Sequence, residues 1–171
     1  MAKDIFTQPL VEGIVKANEL LVNFFSTSGF WHETLEAWCK ENKVQHSIQT
    51  ACETRWYSMA TVCLSIVKPA QGFHFCIALQ SNSDVDTSAI GANIRKLIED
   101  RDHFTTNPIL VKFLFSVVDA IGRLESANST IGDIWKELTT TYFMTKKIDV
   151  YPHFEPFKEH CLNVIQKCSI T

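Results

Sequence analysis

Between residues 9 and 28 apolar side chains return every three or four positions: Leu10, Ile14, Ala17, Leu21 and Phe24, with Val11, Val15, Val22 and Phe25 beside them. That spacing is the turn of an α-helix, and the stripe is too broad for a helix bathed in water on most sides. Pro9 suits the first turn, where its missing N–H costs nothing, and Ser26-Thr27-Ser28-Gly29 closes the segment. The same period governs most of the chain. Only five prolines and six glycines interrupt its 171 residues, too few for a loop-rich β-sandwich. The expected fold is all-α, a single helical domain built as a bundle of about seven or eight helices.

The elements follow in order. A second helix over residues 30–41 turns Phe30, Trp31, Leu35 and Trp38 inwards, with Glu33 and Glu36 near its start and Lys40 near its end, as the helix dipole favours. Residues 42–51 are polar and connect. A third helix runs from a Thr54 cap to Val67, burying Met59, Val62, Cys63, Ile66 and Val67, until Lys68-Pro69 stops or kinks it. Phe73, Phe75, Cys76, Ile77 and Leu79 resume the apolar pattern over residues 72–80, and Ser81-Asn82-Ser83-Asp84 reads as a loop. Thr87 or Ser88 then caps a helix through about Arg101, with Ile90, Ile94, Leu97 and Ile98 on one side. Glu99, Asp100, Arg101 and Asp102 read as its solvated end. Pro108 opens the next element, whose residues 109–124 carry Leu110, Phe113, Leu114, Val117, Val118 and Ile121 at helical spacing. Ser129 or Thr130 caps a further helix carrying Ile131, Ile134, Trp135, Leu138 and Tyr142. The last helix begins after Tyr151-Pro152 and runs to about Cys168 through Phe154, Phe157, Cys161, Leu162 and Ile165.

Charge and chemistry narrow the function classes. A formal net charge of −3 gives no overall pull towards nucleic acid, so any DNA contact needs a local patch such as Lys146-Lys147. No apolar run approaches the ~18 residues of a membrane span, and Met-Ala-Lys-Asp-Ile-Phe lacks the pattern of a signal peptide, which points to the cytoplasm and to no membrane partner. Cys39, Cys52, Cys63, Cys76, Cys161 and Cys168 are scattered without a Cys-x-x-Cys, so reduced thiols are expected. His153, His160 and Cys161 form only a loose cluster, and neither a metal nor another cofactor is expected. Gly-rich phosphate loops, nucleophile elbows and His-Glu-x-x-His are missing from the sequence. Asp119 with Glu125, and Asp133 with Glu137, read as wet helix faces, and His32 beside Glu36 as a surface histidine. Nothing here declares an enzyme.

One stretch stands apart. Glu53-Thr54-Arg55-Trp56-Tyr57-Ser58 gathers a carboxylate, a guanidinium, an indole, a phenol and two hydroxyls at the head of the third helix. A helix start offers unpaired N–H groups, and Arg55 with Trp56 adds a cation and a flat ring, a combination that can hold a phosphate and stack a base. Equally, Trp56 can be core and Arg55 can pair with Glu53.

The segment from Cys52 to Ser58 resembles the Thr-Arg-Trp-x-Ser segment of hAT-superfamily DNA transposases. Two further stretches resemble the family in the same order. Ala2-Lys3-Asp4-Ile5 with Asn23-Phe24-Phe25-Ser26-Thr27-Ser28 is similar to the helix after the second catalytic aspartate and the Cys-x-x-His motif. Val117 to Ser126 followed by Ser129-Thr130-Ile131-Gly132-Asp133-Ile134 is similar to a helical segment ending in Leu-Glu and a turn. The resemblance implies that residues 1–49 match the helical end of an RNase H-like core and residues 50–171 part of the helical domain inserted in it. It also implies that the catalytic aspartates, the catalytic glutamate and the Cys-x-x-His lie elsewhere in the family, Glu125 being no counterpart of that glutamate. The resemblance further implies a DNA-binding role for Arg55 and Trp56, the Trp as a platform for a base flipped at a cleaved DNA end. Two functions follow as expectations: a catalytically inactive transposase-derived fragment that keeps weak contact with DNA ends or assembles with a transposase-family protein, or a helical protein-interaction or self-association module with no nucleic-acid role. The nuclear location is implied only by the family.

Overall fold

The computed structural model describes residues 8–45, 56–82, 89–125 and 128–168, with the backbone alone at residues 56–59 and 82. The described residues form eight α-helices and one 3-10 turn, with no strand among them. They are α1 (Pro9–Thr27), α2 (Gly29–Glu41), α3 (Trp56–Val67), α4 (Ala70–Asn82), α5 (Ala92–Glu99), α6 (Arg101–Leu124), α7 (Ile131–Lys146) and α8 (Glu155–Cys168), the 3-10 turn Pro152–Phe154 leading into α8. The all-helical reading of the sequence therefore stands. The chain divides into two compact units, Ile14–Pro108 and Met1–Gly13 with Ile109–Thr171.

In the unit Ile14–Pro108, Leu21, Phe25, Trp31, Leu35, Ile66, Phe73, Cys76 and Ile98 are fully buried together. Phe25 and Phe73 meet edge to face with centroids 4.8 Å apart, the geometry that an aromatic quadrupole prefers. Lys68-Pro69 separates α3 from α4, and the two helices meet at 55°. Proline supplies no N–H, yet the carbonyl of Pro69 accepts from the amides of Gly72 and Phe73, so the stop is also the first turn of α4.

Three details differ from the sequence expectation. Phe30 does not face inwards: it is 44% exposed, because Trp31, Leu35 and Cys39 occupy the inward positions of α2 and Phe30 lies off that line. α5 starts only at Ala92, after Gly91, whereas the expected caps Thr87 and Ser88 lie outside the described residues. Pro108 opens nothing, since it lies inside α6. Asp100 explains the earlier start: its Oδ1 accepts from the amides of Asp102 and His103, capping α6 from within a charge run that reads as mere solvated surface.

The other unit is built on Leu110, Phe113, Phe154, Phe157, Cys161 and Ile165, with the Phe113 and Phe157 rings 5.1 Å apart. α7 begins in a full capping box: the Thr130 hydroxyl accepts from the Asp133 amide while Asp133 accepts from the Thr130 amide. The Thr130 amide foremost, and then the Thr130 hydroxyl, both donating to Asp133 Oδ2, hold the Asp133 carboxyl below the usual carboxylate range. Lys158 Nζ donates to the Ile148 carbonyl at 2.8 Å and ties α8 back to the loop before it. Among the described helices, Arg101–Leu124 is long and apolar enough to cross a membrane by length and composition alone. Its Leu110, Phe113 and Leu114 are instead buried as core positions.

Candidate functional site

The two residues singled out for DNA fall at the edge of what is described. Arg55 lies outside the described residues, as do Cys52, Glu53 and Thr54, and Trp56 is the first residue of α3, described by its backbone only. Beyond them α3 buries Val62, Cys63 and Ile66 as expected, whereas Val67 is only half-buried and the Met59 side chain lies outside what is described.

A polar node lies inside the unit Ile14–Pro108. Asn18 of α1 and Asn107 of α6 are both fully buried, Cys63 of α3 is 1% exposed and His103 of α6 is 6% exposed. Asn18 Nδ2 donates to Asn107 Oδ1 at 2.7 Å and reaches Cys63 Sγ at 3.4 Å. Asn107 Nδ2 donates to the His103 carbonyl at 2.8 Å and lies 3.3 Å from His103 Nε2. Asn18 Oδ1 finds no partner among the described residues. A buried amide is costly unless bonded, so this node fixes which faces of α1, α3 and α6 meet. Sequence reading passed over it, though a signal existed: Asn18 interrupts a broad apolar face, and His103 and Asn107 sit one helical turn apart just before a proline.

The buried thiols offer little nucleophilicity. Burial pushes Cys63, Cys76 and Cys161 each up to about 12, so the neutral thiol prevails at neutral pH. A shallow depression of about 340 Å³ is lined by Glu36, Ala37, Cys39, Lys40, Val44 and Gln45, and the Cys39 thiol is likewise raised, by burial and then by Glu36. The acidic pairs have separate duties: Asp133 serves the capping box, and Glu137 Oε2 accepts from Arg123 Nε and Nη2, both at 2.8 Å. His32 Nε2 lies 3.9 Å from Glu36 on the surface of α2. No group of three or more metal-ligating side chains occurs among the described residues.

α7 is the clearest departure from pattern. Three of the apolar residues it carries are open to solvent: Ile131 is 76%, Trp135 52% and Ile134 43% exposed. Two and three turns on from Ile134, the same line of the helix carries Thr141 and Thr145, which are buried. The apolar half of the stripe is thus uncovered and the polar half is covered. Thr141 is only 2% exposed, and its hydroxyl has no hydrogen-bond partner among the described residues. Thr141→Val keeps the shape and removes that unpaired hydroxyl, and is expected to raise stability by about 1 kcal/mol in urea unfolding. A loss of stability in that variant would mean that the hydroxyl is bonded after all.

Compared with family models, with curated proteins and with solved structures, the chain matches none at a significant level.

Proposed function

We propose that this chain is a catalytically inactive, transposase-derived helical module that acts by association, and that the uncovered stripe of α7 docks on a second copy of the chain. The observation that carries the reading is the run Ile131, Ile134 and Trp135 on one helix face, exposed where a monomer has every reason to bury it. The stripe runs in line with Thr141 and Thr145, which the unit itself covers. A patch of three side chains supports a weak dimer, since stable interfaces bury well over ~1,000 Å². The transposase derivation rests on the Thr54-Arg55-Trp56 and Val117 to Asp133 stretches.

Size-exclusion chromatography with light scattering, run over a concentration series, tests it. The expected mass rises from that of the 19.5 kDa monomer towards twice that value, and Trp135→Lys, at a surface position, holds the monomer with unchanged helical circular dichroism. A wild-type chain that stays monomeric throughout overturns the association. The second reading, contact with DNA ends through Arg55 and Trp56, is supported by the chemistry of that pair alone, a guanidinium for a phosphate beside an indole for a base. A gel shift on hairpin DNA carrying an unpaired base separates the two: Trp56→Ala abolishes a true complex and leaves the dimer untouched.

A further inference from the structure

The hydrogen-bond parity of the node between α1 and α6 has a consequence for acid. The atom of Asn107 that faces the His103 carbonyl at 2.8 Å must be the amide nitrogen, because a carbonyl only accepts. Asn107 Oδ1 is thereby turned to Asn18 Nδ2 at 2.7 Å. The second hydrogen on Asn107 Nδ2 then points at His103 Nε2, 3.3 Å away, which has to present a lone pair. The geometry therefore fixes His103 as the neutral tautomer with its proton on Nδ1.

We infer that His103 and Asn107 form an acid-released latch, in which protonation of Nε2 breaks the Asn18–Asn107 bond linking α1 to α6. A proton on Nε2 sets N–H against N–H. Turning the Asn107 amide over cures that contact but places two nitrogens at the 2.7 Å contact with Asn18 and two oxygens at the 2.8 Å contact with the His103 carbonyl. Turning Asn18 over as well gives its orphaned Oδ1 a donor and makes Cys63 the donor in its own contact. The oxygens of Asn107 and His103 still collide. No arrangement of the two amides accepts the charged ring, so the node must open. Pro108 follows at once and brings no N–H of its own, so the backbone there is one bond poorer to begin with.

Titratable groups around the ring agree with this. Asp100 caps the same helix and favours the charged form, while Cys63 on α3, reached through Asn18, is a neutral thiol. Glu19 on α1 acts on that thiol, and the His74 ring on α4 lies tilted at 49° to Phe104, the neighbour of His103, with centroids 5.6 Å apart. Burial outweighs Asp100 and holds His103 below the ordinary histidine value. Because the folded value is the lower one, the unfolded chain takes the proton first. The latch thus contributes its full stability above about pH 6.5 and loses it as pH falls from there towards the folded value.

Urea unfolding of wild type and His103→Gln, followed from about pH 7.5 down to about pH 5.5 across the ordinary histidine value, tests the latch. Gln Oε1 can accept from Asn107 but does not titrate. The unfolding equilibrium constant is expected to rise severalfold more in the wild type than in the variant over that range. In nitrogen-15 spectra of the wild type, the side-chain amide signals of Asn18 and Asn107 should shift together with the titration of His103. Equal acid sensitivity of the two proteins overturns the latch. So does a His103 titration that leaves both amides unmoved, and that spectrum decides the matter should His103→Gln fail to fold.

Discussion

Phe73→Ala is expected to lower the stability of the unit Ile14–Pro108 by about 3–5 kcal/mol, a large share of the ~5–15 kcal/mol that holds a domain folded. Phe73 is fully buried on α4, with its ring 4.8 Å from Phe25 and 6.2 Å from Phe104, so it touches α1 and α6 together. Removing it forfeits the transfer energy of an aromatic side chain and leaves a void that surrounding rings close only in part. Phe75, two residues on, is the internal control. It is 42% exposed, and Phe75→Ala should stay within about 0.5 kcal/mol of the wild type. The buried Trp31 and half-buried Trp38 make tryptophan fluorescence a direct report on this unit during urea unfolding. Equal midpoints for the two variants would show that α4 presents a different face.

That contrast marks what the sequence could tell and what it could not. Helical period named nearly every element, and the long apolar runs of α1 and α6 identified Leu21, Phe25, Leu110 and Phe113 as core. Over residues 73–79, however, apolar residues are so dense that the pattern cannot say whether Phe73 or Phe75 points inwards; only the packing partner decides. Boundaries set by side-chain bonds were equally hidden. Asp100 reads as solvated charge until its Oδ1 is seen accepting from two amides, which is why α6 starts at Arg101 and not at Pro108. The α7 stripe was legible as a stripe, but its exposure was not, because periodicity reports which residues share a face and not whether anything covers it. The polar node was missed for a related reason: a lone Asn or His on an apolar face looks like noise until its partners on other helices are known.

Gly72 gives the second large effect, of opposite steric sign to its neighbour. A Cβ built at Gly72 would lie 2.7 Å from Leu35 Cδ1 and 2.7 Å from Trp38 Cε3, well inside contact distance. The absence of a side chain there is what lets α4 lie close against α2. Leu35 is fully buried and cannot swing away, and the Trp38 ring is rigid, so the backbone of one helix has to move. Alanine would otherwise be the better helix former by about 1 kcal/mol, which makes the sign of the result informative. Gly72→Ala is expected to lose about 1–2 kcal/mol net, and Gly72→Val about 3 kcal/mol, with a change in Trp38 emission in both. Gly122 in α6 meets nothing within 4 Å, so Gly122→Ala should gain about 0.5–1 kcal/mol from the same helix preference. If Gly72→Ala stabilises as Gly122→Ala does, α2 and α4 are further apart than their packing at Leu35 requires, and the core around Trp31 would have to be redrawn.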